Sequence, residues 1–189
     1  MHNASELTKS ALERMVAMEC VQNVAKYICD EYRRVSGEAI DEMKLHKLLY
    51  FTQRESIAVA GEPMFDAEFE GWKYGPVCKE IRATFYNGQV HGNSFAKITS
   101  DNAYIARNII EGYGSYASWK LSELSHREMS WSKARKGLEY NEDGNAPLLL
   151  SDIRLDAKNV RPYDYLFDMH WNEFDNVHEW FGTGEPIAT

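Results

Sequence analysis

Apolar positions along the chain change period several times, and each change marks an element. Leu12, Met15, Val16, Val21, Val24, Ala25, Ile28 and Tyr32 recur at three- and four-residue spacing. That spacing predicts one long amphipathic helix over roughly 10–33, broken at Ser36-Gly37. A second helix is predicted over roughly 42–60, with Asp41 as its N-cap and Gly61-Glu62-Pro63 as its stop. Leu45, Leu48, Leu49, Thr52 and Val59 form one stripe on it, and Met43, Tyr50 and Ile57 form another. Apolar residues on two faces belong to a helix packed on more than one side.

The period then drops to two. Phe65, Ala67, Phe69 and Gly71 alternate with Asp66, Glu68 and Glu70, as in a short, half-exposed strand. In Trp72-Lys73-Tyr74-Gly75-Pro76, Gly75 permits a sharp corner and Pro76 suits the first turn of a helix. That helix is expected through Val77, Ile81 and Phe85, closing at Asn87-Gly88. Further helices are expected from Ser100-Asp101, from Ser118 as a cap, and over 131–137 with Ser130 as a cap. Leu148-Leu149-Leu150 reads as a short strand, and the remainder as irregular with a helix near 172–181. Strands and helices do not alternate, which excludes a doubly wound sheet. The expected class is mainly α: a single compact helical domain with one or two short β segments and a C-terminal extension. The divisions are a flexible N-terminus over 1–10, a helical domain over 11–138, and an extension over 139–189.

Composition sharpens this outline. The chain has 189 residues, 44% of them hydrophobic, enough for a core without disulfides or a structural metal. No apolar run approaches a membrane span, and residues 1–10 carry no secretory signal. Cys20, Cys29 and Cys78 form no CxxC pair, so they suggest neither a disulfide framework nor a zinc knuckle, and a cytoplasmic location is expected. Cys20 and Cys29 are expected as space-filling thiols in the first helix. Charge is unevenly distributed. Residues 1–138 carry 18 acidic and 18 basic side chains, whereas 139–189 carry 11 acidic and 3 basic ones. A neutral body with an acidic tail suits a basic protein partner better than DNA.

Candidate chemistry is sparse. Phosphate loops, GxSxG and HExxH are all absent. His126, with Glu123 and Glu128 nearby, suggests an acid/base or metal cluster only if Glu123 and a polar neighbour such as Lys47 or Arg135 converge with it in an open pocket. His46 lies in an apolar helix, and His170 and His178 stand eight apart with no further ligand signal. No catalytic residue, metal or cofactor is assigned. Two features suggest contacts with a partner: the Trp72–Pro76 turn, and a tail holding Tyr163, Tyr165, Phe167, Trp171, Phe174, Trp180 and Phe181 among six acidic residues.

Four segments also stand in a familiar order: VAKYICD at 24–30, KLHKLLYFTQ at 44–53, PMFDAEFEGWKYGPV at 63–77 and LSELSHREMSWSKAR at 121–135. Over about residues 20–138 the chain resembles the Panacea domain family, the SocA-like domain also seen in phage GepA-type proteins. His46, Gly71 and Ser125 stand where that pattern more often has Gln, Ala and Thr. The resemblance implies a helical domain and a non-enzymatic role as the antitoxin of a type II toxin–antitoxin system. Its partner would be a cognate protein toxin encoded alongside, neutralised by direct binding. An alternative is an adaptor that delivers a toxin to a ClpXP-type protease; less favoured are an enzyme using His126 and Glu123, and a DNA-binding autorepressor. Lys47, Tyr50, Gln53, Gly75, Pro76, His126, Trp131 and Arg135 match the family motifs and are expected to be structural. Trp72, Tyr74, Tyr165, Phe167, Trp171, Phe174, Trp180 and Phe181 are the expected partner contacts.

Overall fold

The structure is a computed structural model that describes residues 18–92 and 95–161. Among them are seven helices and two two-stranded antiparallel hairpins. The helices are α1 (Val21–Ser36), α2 (Glu42–Ala60), α3 (Lys79–Arg82), α4 (Ser100–Tyr113), α5 (Ser118–Ser125), α6 (Met129–Ala134) and α7 (Leu150–Ala157). The strands are β1 (Phe69–Trp72) with β2 (Gly75–Cys78), and β3 (Phe85–Tyr86) with β4 (Gln89–Val90). The expected mainly α domain is what the chain forms.

Helix α2 is the axis. Every residue from Lys44 to Ile57 is buried, so both predicted stripes face protein. α1, α4, α5, α7 and β2 all pack against it. Its ends fall where local chemistry sets them: Asp41 accepts the Lys44 N–H at the start, and the helix stops before Gly61. Leu45, Leu48, Leu49, Ile81 and Leu121 are fully buried. Leu124, expected beside them, is only partly buried and packs on the rim of the core.

Several expectations are corrected. The first helix begins at Val21, because Glu19 pairs strand-like with Phe65 and donates its N–H to the Met64 carbonyl at 2.7 Å. Cys20 is therefore an exposed N-cap rather than a buried helical thiol. The expected stretch over 10–17 lies outside the described residues. Pro76 does not open a helix. It lies in β2, paired with Gly71, and only the single turn α3 follows. Asn87-Gly88 does not close a helix but turns the β3–β4 hairpin. Both residues have positive φ, 51° and 73°, as a two-residue hairpin turn demands. Ala117 rather than Ser118 is the N-cap of α5, and Ser118 instead donates to Asp41 at 2.5 Å.

The Leu148–Leu150 segment is also reassigned. Leu148 hydrogen-bonds the Phe69 carbonyl, and α7 starts at Leu150. Leu148, Ile153 and Ala157 belong to the hydrophobic core. Part of the expected extension, up to Ala157, thus packs into the body. The expected cap of α6 is likewise replaced. Ser130 lies inside the helix, and Asp156 of α7 accepts the N–H groups of Met129 and Ser130 at 2.7 and 3.0 Å. No helix among the described residues is long and apolar enough to cross a membrane.

Candidate functional site

The motif residues come together at the β1–β2 hairpin, held from three helices. Lys47 of α2 donates to the Pro76 carbonyl at 2.9 Å. Ser122 of α5 donates to the Tyr74 carbonyl at 2.9 Å. Trp131 of α6 donates its indole N–H to the Trp72 carbonyl at 2.8 Å, and Arg135 donates to the Gly71 carbonyl at 3.2 Å. Arg135 also binds the Glu139 and Glu142 carbonyls, tying the following loop to the same place. On the outer edge of β1, Gly71 N–H donates to the Ala146 carbonyl and Leu148 N–H to that of Phe69. Buried carbonyls must find donors, and here side chains distant in sequence provide them.

Gly75 is required at the corner. Its φ is +98°, and a Cβ there would stand 2.3 Å from Ser125 Oγ and 2.6 Å from Lys47 Cε. The lysine and the serine fill the space a side chain would need.

The hairpin tip itself faces outward. Tyr74 is 56% exposed, so it is not among the buried hydrogen-bonded motif residues. Trp72 is half-buried, with its indole N–H on Glu70 and the Arg82 guanidinium 4.7 Å over its ring. His126 stacks on Trp131 at 3.9 Å, with exposed Tyr140 edge-on at 5.8 Å. Burial, with Lys47 and Arg135 nearby, holds the His126 pKa below the usual histidine value. Glu123 forms ion pairs with Lys120 and Arg127.

Two motif residues serve elsewhere. Gln53 spans the backbone before β1, donating to the Phe65 carbonyl and accepting from Met64 N–H. The Tyr50 hydroxyl sits in a buried cluster with Ser130 at 2.9 Å and Asp156 at 3.1 Å. Glu128 of that cluster pairs with Arg54, and burial raises its pKa. Tyr165, Phe167, Trp171, Phe174, Trp180 and Phe181 lie outside the described residues, as do His170, His178 and the helix expected near 172–181.

Beside the hairpin tip is a cavity of about 700 Å³, which sequence reading did not find. Met43, Trp72 and Val77 supply apolar wall, His46 and Lys47 line it from α2, and Glu42, Arg82 and Asp143 also border it. His46 Nδ1 accepts the Cys78 N–H at 3.4 Å. Burial and the neighbouring Lys47 and Arg82 charges lower its pKa to about 3, so the ring is neutral at pH 7. Burial lowers the Lys47 pKa to about 7. No periodicity signals such a cavity, because its walls come from four separate segments. Among the described residues no group of three His, Cys, Asp or Glu is placed to hold a metal.

Residues 45–132 match the family model described as antitoxin SocA-like, Panacea domain. No curated protein and no solved structure matches the chain. The matched span, a little under half of the chain, runs from the first turn of α2, through the pinned GPV hairpin, to the His126–Trp131 stack, and over it the chain is similar to the antitoxin SocA-like, Panacea domain.

Proposed function

We propose that this protein is an antitoxin of the type II kind, neutralising a protein toxin by direct contact through the surface around the β1–β2 turn. The observation that carries the reading is the contrast between the turn's support and its tip. Buried or half-buried side chains from α2, α5 and α6 fix its carbonyls, while Tyr74 at its tip is open to solvent. A rigid backbone presenting aromatic side chains loses little entropy on binding, which is what an interface hot spot needs. The family match supports an antitoxin role. The acidic, aromatic residues after 162 are proposed as a second, specificity-setting contact with a basic toxin, in a cytoplasmic setting.

The test is co-expression with the product of the adjacent reading frame, following growth, complex formation and toxin abundance. Wild type is expected to restore growth with the toxin still abundant and bound. Tyr74→Ala and Trp72→Ala are expected to lose neutralisation while remaining folded. Full neutralisation by both variants at equal expression would refute the hairpin surface. Protease-dependent disappearance of the toxin would favour the adaptor reading instead.

A further inference from the structure

Two adjacent buried residues at the cavity beside the hairpin hold N–H groups that are not all paired among the described residues. Lys47 is 1% exposed, and its amino group, which carries at least two N–H groups in either protonation state, makes one hydrogen bond among the described residues, to the Pro76 carbonyl. His46 is 2% exposed. Because its Nδ1 accepts the Cys78 N–H, the proton sits on Nε2. That Nε2 is buried without a hydrogen-bond partner among the described residues. The Glu42 carboxylate stops 3.7 Å away, beyond bonding distance, and is held by Arg82 at 3.3 Å. Buried donors without acceptors are costly, and two adjacent residues carry them at one cavity.

We infer that this cavity is a binding site for a carboxylate carried on a compact apolar body. The unsatisfied Lys47 and His46 donors call for an acceptor, and a charged one gains most where water is excluded. Met43, Trp72 and Val77 call for an apolar body, and about 700 Å³ lies within the size range of small-molecule sites. Glu42 and Asp143 in the lining disfavour a multiply charged phosphate. On binding, the exposed Glu42 side chain moves aside from Nε2 and keeps Arg82 as its partner. The inference does not rest on the antitoxin reading, since binding is measured on this chain alone.

The same carboxylate can arrive on a free small acid or as an acidic side chain beside an aromatic one on a partner. The experiment titrates the full chain with 3-phenylpropionate, with its uncharged amide, and with the peptide N-acetyl-Phe-Glu-amide, by calorimetry and by the Trp72 and His46 nitrogen resonances. The acid is expected to bind about tenfold or more tightly than the amide. Lys47→Met is expected to abolish that preference, since Met replaces the apolar lysine stem without its charge. His46→Gln is expected to weaken acid binding several-fold. Tighter binding of 3-phenylpropionate assigns the site to small acids, and tighter binding of the peptide assigns it to a partner's side chain. Equal affinity for acid and amide would overturn the inference. So would no saturation of acid or peptide below about 10 mM, or acid preference undiminished in Lys47→Met. Should Lys47→Met fail to fold, unchanged acid affinity in His46→Gln overturns it as well.

Discussion

Asp156→Ala is expected to be among the most damaging single substitutions in the protein, because its carboxylate joins three helices. Asp156 is 4% exposed and lies in the last turn of α7. Its two oxygens accept Met129 N–H at 2.7 Å, Ser130 N–H at 3.0 Å and the Tyr50 hydroxyl at 3.1 Å. It thus caps α6 from another helix and joins α6 and α7 to the central α2. Alanine would leave two helix-start donors without this partner and remove one of the Tyr50 hydroxyl's acceptors. An unsatisfied buried group costs about 1–3 kcal/mol, and Ser130 Oγ can still serve Tyr50. A loss of about 3–5 kcal/mol follows, against a typical total stability of about 5–15 kcal/mol. Urea denaturation, read by circular dichroism and tryptophan fluorescence, measures it. Asp152→Ala is the control. Asp152 pairs at 2.6 Å with Lys133, whose side chain is 50% exposed, and such pairs contribute about 1 kcal/mol or less. If Asp156→Ala costs no more than Asp152→Ala, capping between helices does not hold α6 in place.

Leu48→Ala and Leu121→Ala, at two fully buried positions, should each lower stability by about 2–5 kcal/mol in the same assay. Gly75→Ala should cost about 2–4 kcal/mol, combining an unfavourable φ with the clash against Lys47 and Ser125; adding Ser125→Ala should recover part of the loss. The Lys47 pKa falls from 10.5 to about 7 on folding, so the unfolded chain binds more protons between these values. Its contribution to stability therefore rises with pH across that window, by a few kcal/mol in order of magnitude, and subtracting the pH profile of Lys47→Met isolates it. His46 acts alike between about 3 and 6.5: the unfolded chain protonates first as pH falls, stability drops, and His46→Gln should flatten that limb.

Sequence alone determined the features that depend on neighbours within one helical turn. Asp41, the two apolar stripes and Gly61 placed α2 at 42–60, because caps and amphipathic spacing act over three or four residues. The same locality explains the burial of Leu45, Leu48 and Leu49, and a run of short motifs was enough to suggest the family. Tertiary structure decided everything that depended on which partner a segment meets. Val77, Ile81 and Phe85 have helical spacing, yet β1 pairing with Gly75–Cys78 and the positive φ of Asn87-Gly88 turned most of that stretch into hairpins. Leu148–Leu150 looked strand-like, but Leu148 meets the edge of β1 and Leu150 begins a helix whose Asp156 caps α6. Tyr74 and Trp72 lie two residues apart in one motif, and only the hairpin turn separates an exposed ring from a half-buried one. The cavity at His46 and Lys47 had no trace in the sequence. Its apolar and charged walls come from positions 42 to 145, and only packing them together leaves His46 Nε2 without an acceptor among the described residues.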